Sequence, residues 1–387
     1  KSISFYRSSG PALTSPLGNR INSFVAGRAE ISLRDEFGDL IFSNLFSDQI
    51  ATDARGLLEV SGSAQDIERM LSNPGIRDGY SRAITDLTRE HNYGGVVINF
   101  GLLPSGSEAL LAEFIAELHD KASINGWEIN LVAPLSDSHD YDWSTLLSVV
   151  DGLWISVRYS NDDILSALDS FLLPYIVGGD DIGKVSLLAS TAIQGRTPRF
   201  DDPRSLLEIL NEIKIDAEAG SITTDQNIIL ENTSSTASRD VYWNEISRSV
   251  VVRIDSESYF IPSRFSFSFL LDFIDFWGLR GLVLDASRSE EVPESIAEAI
   301  SGWFDTESIQ PVEPFGPYLE PCWIASGGTI SPDCWSANNG NESAVWATPA
   351  TPGVYTLKLI ISDGESFVSK EATLRVDSSL TATPTAT

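Results

Sequence analysis

Short apolar runs rich in β-branched and aromatic residues alternate along the chain with longer segments of helical periodicity. In the segment SEALLAEFIAELHDKASING, for example, one helical face carries Leu110, Leu111, Phe114, Ile115 and Leu118. Eight of the short runs predict β-strands: KSISFY, INSFVAGRAEI, GLLEVSG, YGGVVINFG, WEINLVAP, GLWISVRY, KVSLLASTAI and RGLVLDAS. This order predicts an α/β fold, a parallel (β/α)8 barrel, with a doubly wound open sheet as the alternative.

Two regions depart from this alternation. Residues 194–262, between the seventh and eighth strands, contain two β-rich runs around NEISRS, which indicate a hairpin in an α+β insertion beside the barrel mouth. From residue 314 to 377, short alternating strands separated by Gly, Pro and Asn turns predict an immunoglobulin-like β-sandwich. The predicted organisation is a barrel over 1–313, the sandwich over 314–377 and a Thr/Pro-rich linker over 378–387.

Composition narrows the classes of partner. The 387 residues are 42% hydrophobic, which suffices for a large core and about two domains. The formal charge of −29 repels phosphate backbones and anionic headgroups, so we expect no nucleic-acid partner. No apolar window approaches the ~18 residues of a membrane span. No Gly-rich phosphate loop follows any predicted strand, and we expect no cofactor.

The cysteines and the chain ends favour export. Cys322 and Cys334 lie close together in a turn-rich stretch, far in sequence from every histidine, and a metal site would need more ligands nearby. We therefore expect a disulfide, with two free thiols as the alternative. The tail SSLTATPTAT cannot bury apolar area and is typical of linkers between extracellular domains. The chain begins at Lys1 without a leader. We therefore expect a mature or trimmed segment of a secreted or cell-surface protein, with more chain after residue 387.

The order and spacing of YGGVVINFG, WEINLVAP, GLWISVRYSND, KVSLLAS, VYWNEISRS and WGLRGLVLDAS resemble glycoside hydrolase family 18 over roughly residues 1–310. This family contains chitinases and spore-cortex hydrolases. The C-terminal region resembles the PKD-like or immunoglobulin-like modules of bacterial surface proteins, through SGGTIS, VWATPATPGVYTL and ISDG. The resemblance implies a TIM barrel and a glycan ligand of the chitin or peptidoglycan type.

The resemblance also locates the family's catalytic positions. The family's fourth strand reads D-G-x-D-x-D-x-E; the Glu protonates the glycosidic oxygen, and the preceding Asp positions the substrate acetamido group that attacks the sugar. Its four acids align with Gly94, Val97, Asn99 and Gly101. The family's Tyr-Asp pair after the sixth strand aligns with Tyr159 and Ser160, and its floor Trp after the eighth with Asp285. The resemblance therefore implies a barrel that has lost the family's chemistry.

Other acids could have taken over at the C-terminal ends of the strands, where barrel enzymes keep their catalytic groups. The candidates are Asp285, Glu108, Asp137, His139, Asp140 and Asp162. The segment SDSHDYDW is also typical of a polar loop before a helix N-cap at Asp142 or Ser144, and Asp285 could pair with Arg158 or Arg288. The carboxylates of GGDDIG, at 178–183, could bind calcium but are typical of a turn.

Two functions of different class remain. The favoured hypothesis is a non-catalytic secreted or surface protein that binds glycan, or contacts other surface proteins as a spacer. Its ligand-binding candidates are Tyr159, Ser160, Asn99, Asp285 and Trp243, the last of which could instead pack beneath its own hairpin. The alternative is an active glycosidase that uses a non-family acid such as Asp285.

Overall fold

The computed structural model describes residues 1–7, 17–33, 39–45, 54–103, 106–135, 141–159, 163–192, 194–195, 216–217, 222–231, 241–254, 257–286, 292–306, 310–311, 322–331, 333, 343–362 and 367–378. The chain forms two compact units. The first combines Lys1–Ala192 with Phe267–Pro311, and the second combines Ile193–Ser266 with Val312–Thr387. Strands and helices are numbered in chain order through both units.

The first unit is a closed barrel. Its strands are β1 (Ser2–Arg7), β2 (Ser23–Ser32), the antiparallel β3 (Asp39–Asn44), β4 (Arg55–Gly62), β5 (Gly95–Ile98), β6 (Glu128–Pro134), β7 (Gly152–Val157), β8 (Val185–Ser190) and β15 (Gly281–Asp285). The eight parallel strands follow the order β1-β15-β8-β7-β6-β5-β4-β2, and β1 also pairs with β2 through Ser4 and Ser23. Because this last pairing closes the sheet, the predicted barrel is confirmed and the open-sheet alternative is wrong.

Helices follow most of the parallel strands. They are α1 (Ala64–Ser72), α2 (Pro74–Glu90), α3 (Glu108–Ser123), α4 (Trp143–Val149), α5 (Ile164–Gly178), α6 (Arg264–Trp277) and α7 (Glu294–Asp305). The N-cap predicted at Asp142 is confirmed, because its carboxylate accepts a hydrogen bond from the Thr145 amide at 3.1 Å. In the GGDDIG segment, Gly178 ends α5 and a short 3-10 helix begins at Ile182, where Asp181 accepts from the Gly183 amide at 3.2 Å.

One side chain from each parallel strand fills the barrel interior. This buried layer consists of Tyr6, Val25, Leu57, Val97, Val132, Trp154, Leu188 and Val283. Because side chains alternate between the two faces of a strand, the residues two positions further along also point inward, toward the C-terminal end of the barrel. These next positions include Glu59, Asn99 and Asp285. We call these three residues and Arg28 the barrel mouth.

The second unit contains small antiparallel sheets. Its strands are β9 (Gln194–Gly195), β10 (Asp216–Ala217), β11 (Asn227–Glu231), β12 (Val241–Asn244), β13 (Ser249–Ile254), β14 (Glu257–Ile261), β16 (Cys322–Ala325), β17 (Thr329–Ser331), β18 (Ser343–Ala347), β19 (Gly353–Ser362) and β20 (Phe367–Val376). The sheet orders are β10-β11-β18-β17, β12-β13-β14-β9 and β16-β19-β20. Strands β12 and β13 pair as a hairpin across the NEISRS segment.

The insertion and the C-terminal region share one sheet. Strand β11 of the insertion pairs antiparallel with β18, with Ile228 opposite Trp346. Both regions also contribute to one buried core, which includes Leu230, Val250, Trp323, Trp346 and Leu357. The sequence pattern did not indicate this pairing. The immunoglobulin-like classification and the boundary at residues 313 and 314 stay predictions.

Candidate functional site

The barrel mouth is organised around a buried carboxylate, Glu59, whose side chain is only 1% exposed. The Tyr6 hydroxyl donates a hydrogen bond to Glu59 Oε1, and Asn99 Nδ2 lies 3.3 Å from the same oxygen. Arg28 Nε lies 2.7 Å from Glu59 Oε2, in a partly buried ion pair. Charge-assisted hydrogen bonds of this kind offset the cost of removing a carboxylate from water. Both oxygens of Glu59 are therefore occupied as acceptors.

Neighbouring strands hold this network in register. Glu59 on β4 lies opposite Arg28 on β2 and Val97 on β5. The backbone N–H of Asn99 donates to the Val60 carbonyl at 2.9 Å, and this bond fixes Asn99 just after β5. The Tyr6 ring packs edge-on against Trp154, with ring centroids 6.2 Å apart. The polar groups of the mouth therefore rest on the apolar interior layer.

Glu59 was missed as a site residue by sequence analysis. One sequence feature could have indicated it, namely a lone acid inside the apolar run GLLEVSG. A charged side chain in a buried strand requires a partner. Its partners, Tyr6, Arg28 and Asn99, lie on three other strands or at their ends. Their proximity to Glu59 follows only from the closure of the barrel.

The four positions that the resemblance assigns to the family's acids have distinct environments. Val97 is fully buried in the interior layer, and a Cβ atom added at Gly94 would lie 3.2 Å from Arg55 Cβ. Asn99 reaches the Glu59 network with its amide nitrogen. Gly101 adopts a left-handed backbone with φ of +62°. Within the described part of the chain, and leaving aside its two chain neighbours, no atom lies within 4 Å of its ideal Cβ position. The Tyr141 hydroxyl donates a hydrogen bond to the Gly101 carbonyl oxygen.

The remaining described candidates have separate roles. Asp285 is half-buried at the end of β15, where its carbonyl accepts from the Thr191 amide at 3.1 Å. Tyr159 is 1% exposed, so its ring presents no open face to a sugar in this conformation, and burial raises the pKa of its phenol. Glu108 Oε1 accepts from the Gly106 amide at 3.1 Å at the start of α3. Arg158 is exposed just after β7.

Trp243 belongs to the second unit. It lies on β12, packs against that unit's buried core and contacts the Phe265 ring edge-on at a centroid distance of 6.4 Å. This packing beneath its own hairpin is the alternative weighed for Trp243 from the sequence. Several other candidates lie outside the described residues, namely Ser160, Asp137, His139, Asp140, Asp162, Arg288 and Cys334.

Solved structures share this barrel. The fold is that of bacterial chitinases. A chitinase from Chromobacterium violaceum superposes with a TM-score of 0.56 at 11% identity, over 79% of this chain and 99% of that one. The spore cortex-lytic enzyme SleL of Bacillus megaterium superposes with a TM-score of 0.57 at 12% identity, over 81% and 75%. The cell-surface-expressed chitinase ChiW of a Paenibacillus species gives 0.57 at 10% identity, over 98% and 56%.

Sequence comparison adds no closer relationship. No family model matches the chain, and no curated protein matches it significantly. The structural likenesses thus establish a glycosidase-like fold. A fold does not determine chemistry, which depends here on the residues of the mouth.

Proposed function

We propose that this protein is a non-catalytic, glycosidase-like protein whose barrel mouth binds glycan of the chitin or peptidoglycan type. The observation that carries the proposal is that a glycine, Gly101, stands where the resemblance places the proton donor. Glycosidic bond cleavage needs a positioned proton donor, and the residue at that position has no side chain. Its left-handed backbone is one that other residues adopt only with strain.

Glu59 is a poor replacement for the missing donor. It is buried, and both of its oxygens already accept hydrogen bonds from groups of the protein. A general acid must instead direct a proton toward the oxygen of the leaving group. The Glu59 network supports a role in organising the mouth, and this favours recognition over turnover.

Asp285 is the acid on which the alternative function rests. It ends β15 beside Ser190 of β8, and its side chain follows the inward direction of Val283. Under the alternative, Asp285 would act as the proton donor of a working glycosidase. Turnover of glycan that Asp285→Asn abolishes would establish this alternative.

The proposal extends to the location of the protein and to its C-terminal region. The described residues contain no helix long and apolar enough to cross a membrane. We propose a secreted or cell-surface location, a disulfide between Cys322 and Cys334, and an immunoglobulin-like arrangement of the C-terminal strands. The proposed location draws support from the Thr/Pro-rich tail and from the likeness to the cell-surface-expressed chitinase ChiW.

The decisive experiment is a product assay with purified protein. Chitin oligomers and peptidoglycan fragments should be recovered intact after prolonged incubation, because no proton donor stands at Gly101. The Asp285→Asn variant serves as the matched control and should behave identically. Release of shortened oligomers by the unaltered protein, lost in this variant, would overturn the proposal.

A further inference from the structure

We infer that Arg28 recognises the carboxylate of an acidic sugar at the barrel mouth. The inference deepens the proposed glycan-binding function by naming the class of ligand. The two side chains of the ion pair differ in their exposure to solvent. Glu59 is buried and engages only Nε of the guanidinium, whereas the Arg28 side chain is 36% exposed.

The outer edge of the guanidinium is available to a ligand. Among the described residues, neither Nη1 nor Nη2 of Arg28 has a hydrogen-bond partner, and the side chain's hydrogen bond is the one from Nε to Glu59. A guanidinium held at Nε keeps two parallel N–H donors on its far edge. This fork matches the two oxygens of a carboxylate, which a Lys ammonium or an amide cannot match equally well.

The direction of the Arg28 side chain is set by strand alternation after a register shift in β2. The shift lies between Val25, in the interior layer, and Gly27, and it brings Arg28 onto the same face as Val25. On β2, the flanking residues Ala29 and Ile31 are fully buried on the opposite face. Arg28 lies between Glu59 on β4 and the exposed Ser43 on β3. These three residues share the inward face of the strands, so the guanidinium points toward the mouth.

The charges around Arg28 decide which ligand suits it. Asn99 and Gly101 are neutral at positions where the family resemblance places acids, which removes two negative charges that would repel an anionic sugar. The described acids that oppose such a ligand are Glu59 itself, Glu30, exposed on the same face of β2, and Asp285 at the end of β15. A chain of net charge −29 does not attract anions over long distances. Recognition must therefore come from direct hydrogen bonds to Arg28.

A sugar carboxylate can come from two sources, a uronic acid or the lactyl ether of a muramic acid. Calorimetric titration should compare a uronic acid disaccharide, a disaccharide ending in N-acetylmuramic acid, the methyl ester of each, and neutral chitobiose. We expect one or both acids to bind at least tenfold more tightly than its own ester and than chitobiose. The acid that binds identifies the source.

The variant used to test Arg28 has to keep the fold intact. Replacing Arg28 alone would leave Glu59 buried without a countercharge, so the test uses the double variant Arg28→Gln, Glu59→Gln. A matched control is Arg20→Gln with Asp305→Asn, an ion pair in the same unit whose arginine is 31% exposed. Binding of the acid should weaken about tenfold in the first variant and stay unchanged in the second.

The possible results separate this inference from the proposed function. Equal binding of acid and ester, no binding of any probe, or full binding by the Arg28 and Glu59 double variant would each overturn the inference. Recovery of the sugars after titration tests catalysis independently. Cleaved sugar would refute the non-catalytic proposal while leaving a measured preference for the acid in place.

Discussion

The Tyr141 hydroxyl donates a hydrogen bond to the carbonyl oxygen of Gly101. Tyr141 is buried and stacks on Trp143 with ring centroids 4.2 Å apart, so the donor is held on a rigid support. The loop after β5 is thereby fixed in the left-handed conformation that Gly101 adopts. Under the proposed function, the position that the resemblance assigns to the acid therefore differs from a donor site in its backbone as well as in its side chain.

Restoring a glutamate at this position should therefore not restore activity. We expect Gly101→Glu to destabilise the protein by about 1 kcal/mol, because a side chain at φ of +62° is strained, and to release no product from chitin oligomers. Gly126 provides the control, because it has φ of +69° and no described residue beyond its chain neighbours lies within 4 Å of its ideal Cβ position. Gly126→Glu should cost a similar amount in urea unfolding. Product formation by Gly101→Glu would contradict the argument.

The Arg28 and Glu59 pair should be strongly coupled in stability. Arg28→Gln should lower the free energy of unfolding by about 2 kcal/mol, because a carboxylate that is 1% exposed loses its countercharge. Adding Glu59→Gln should recover most of this loss, since the buried charge is then gone. A double-mutant cycle by chemical denaturation measures the coupling. Additive losses would show that the pair contributes little.

Much of the barrel could be predicted because its determinants are local. The apolar runs, the helical faces and the cap at Asp142 all lie within short windows of sequence. The mouth could not be assembled in this way. Tyr6, Arg28, Glu59 and Asn99 come from separate strands or from their ends, and only the closure of β1 onto β2 brings them together. Strand β3 was missed because its apolar run, Leu40 to Phe42, is short and the strand lies outside the alternation of parallel strands and helices.

The Asp142 cap should make helix α4 sensitive to acid. Hydrogen bonds from the Thr145 hydroxyl and amide lower the pKa of Asp142 in the folded state. A carboxyl group with a lowered folded pKa stabilises the fold above its unfolded value of about 3.9, and this contribution is lost as the pH falls through the folded value. Asp142→Ala should therefore cost about 1 kcal/mol near neutral pH.

The cost of Asp142→Ala should shrink in thermal unfolding measured at progressively lower pH. Asp142→Asn keeps a neutral acceptor at the cap and serves as the control, with a small loss that does not depend on the ionisation of this group. A cost of Asp142→Ala that is constant down to strongly acidic pH would rule out the carboxylate as the stabilising species.

Trp346 should stabilise the insertion as well as the C-terminal region. Its side chain is fully buried, and its ring nitrogen donates to the Gly327 carbonyl at 2.9 Å. Trp346→Ala should destabilise the second unit by about 3–5 kcal/mol, because it opens a large cavity. Hydrogen exchange should then accelerate in β11 as well as in β18. Unchanged protection of β11 would show that the two strands do not depend on each other.

The cysteines provide a covalent test of the second unit. Cys322 begins β16, and the described residues contain no free cysteine. Thiol titration of denatured, unreduced protein should detect no free thiol, and reduction should lower the stability of the second unit by about 2 to 3 kcal/mol. Cys322→Ser should have the same effect as reduction. Two titratable thiols per chain would exclude the bond.

Local patterns could not reveal the organisation of the second unit. Each strand of the shared sheet has an ordinary alternating pattern, and nothing in that pattern specifies a partner more than a hundred residues away. The hairpin of β12 and β13 is different, since its two strands adjoin one short turn. Sequence periodicity therefore identified strands in both regions without identifying the sheet that joins them.

The pairing of β11 with β18 has a consequence for the order in which the protein is made. Strand β11 leaves the ribosome before β15, the last strand of the barrel, and well before β18. At 5–20 residues per second, the wait for β18 is on the order of ten seconds. Throughout this interval β11 lacks β18 along one edge, at a stage when that edge could pair with another nascent chain. The shared sheet cannot be completed before the C-terminal strands arrive, so chains stopped early should be the ones that aggregate.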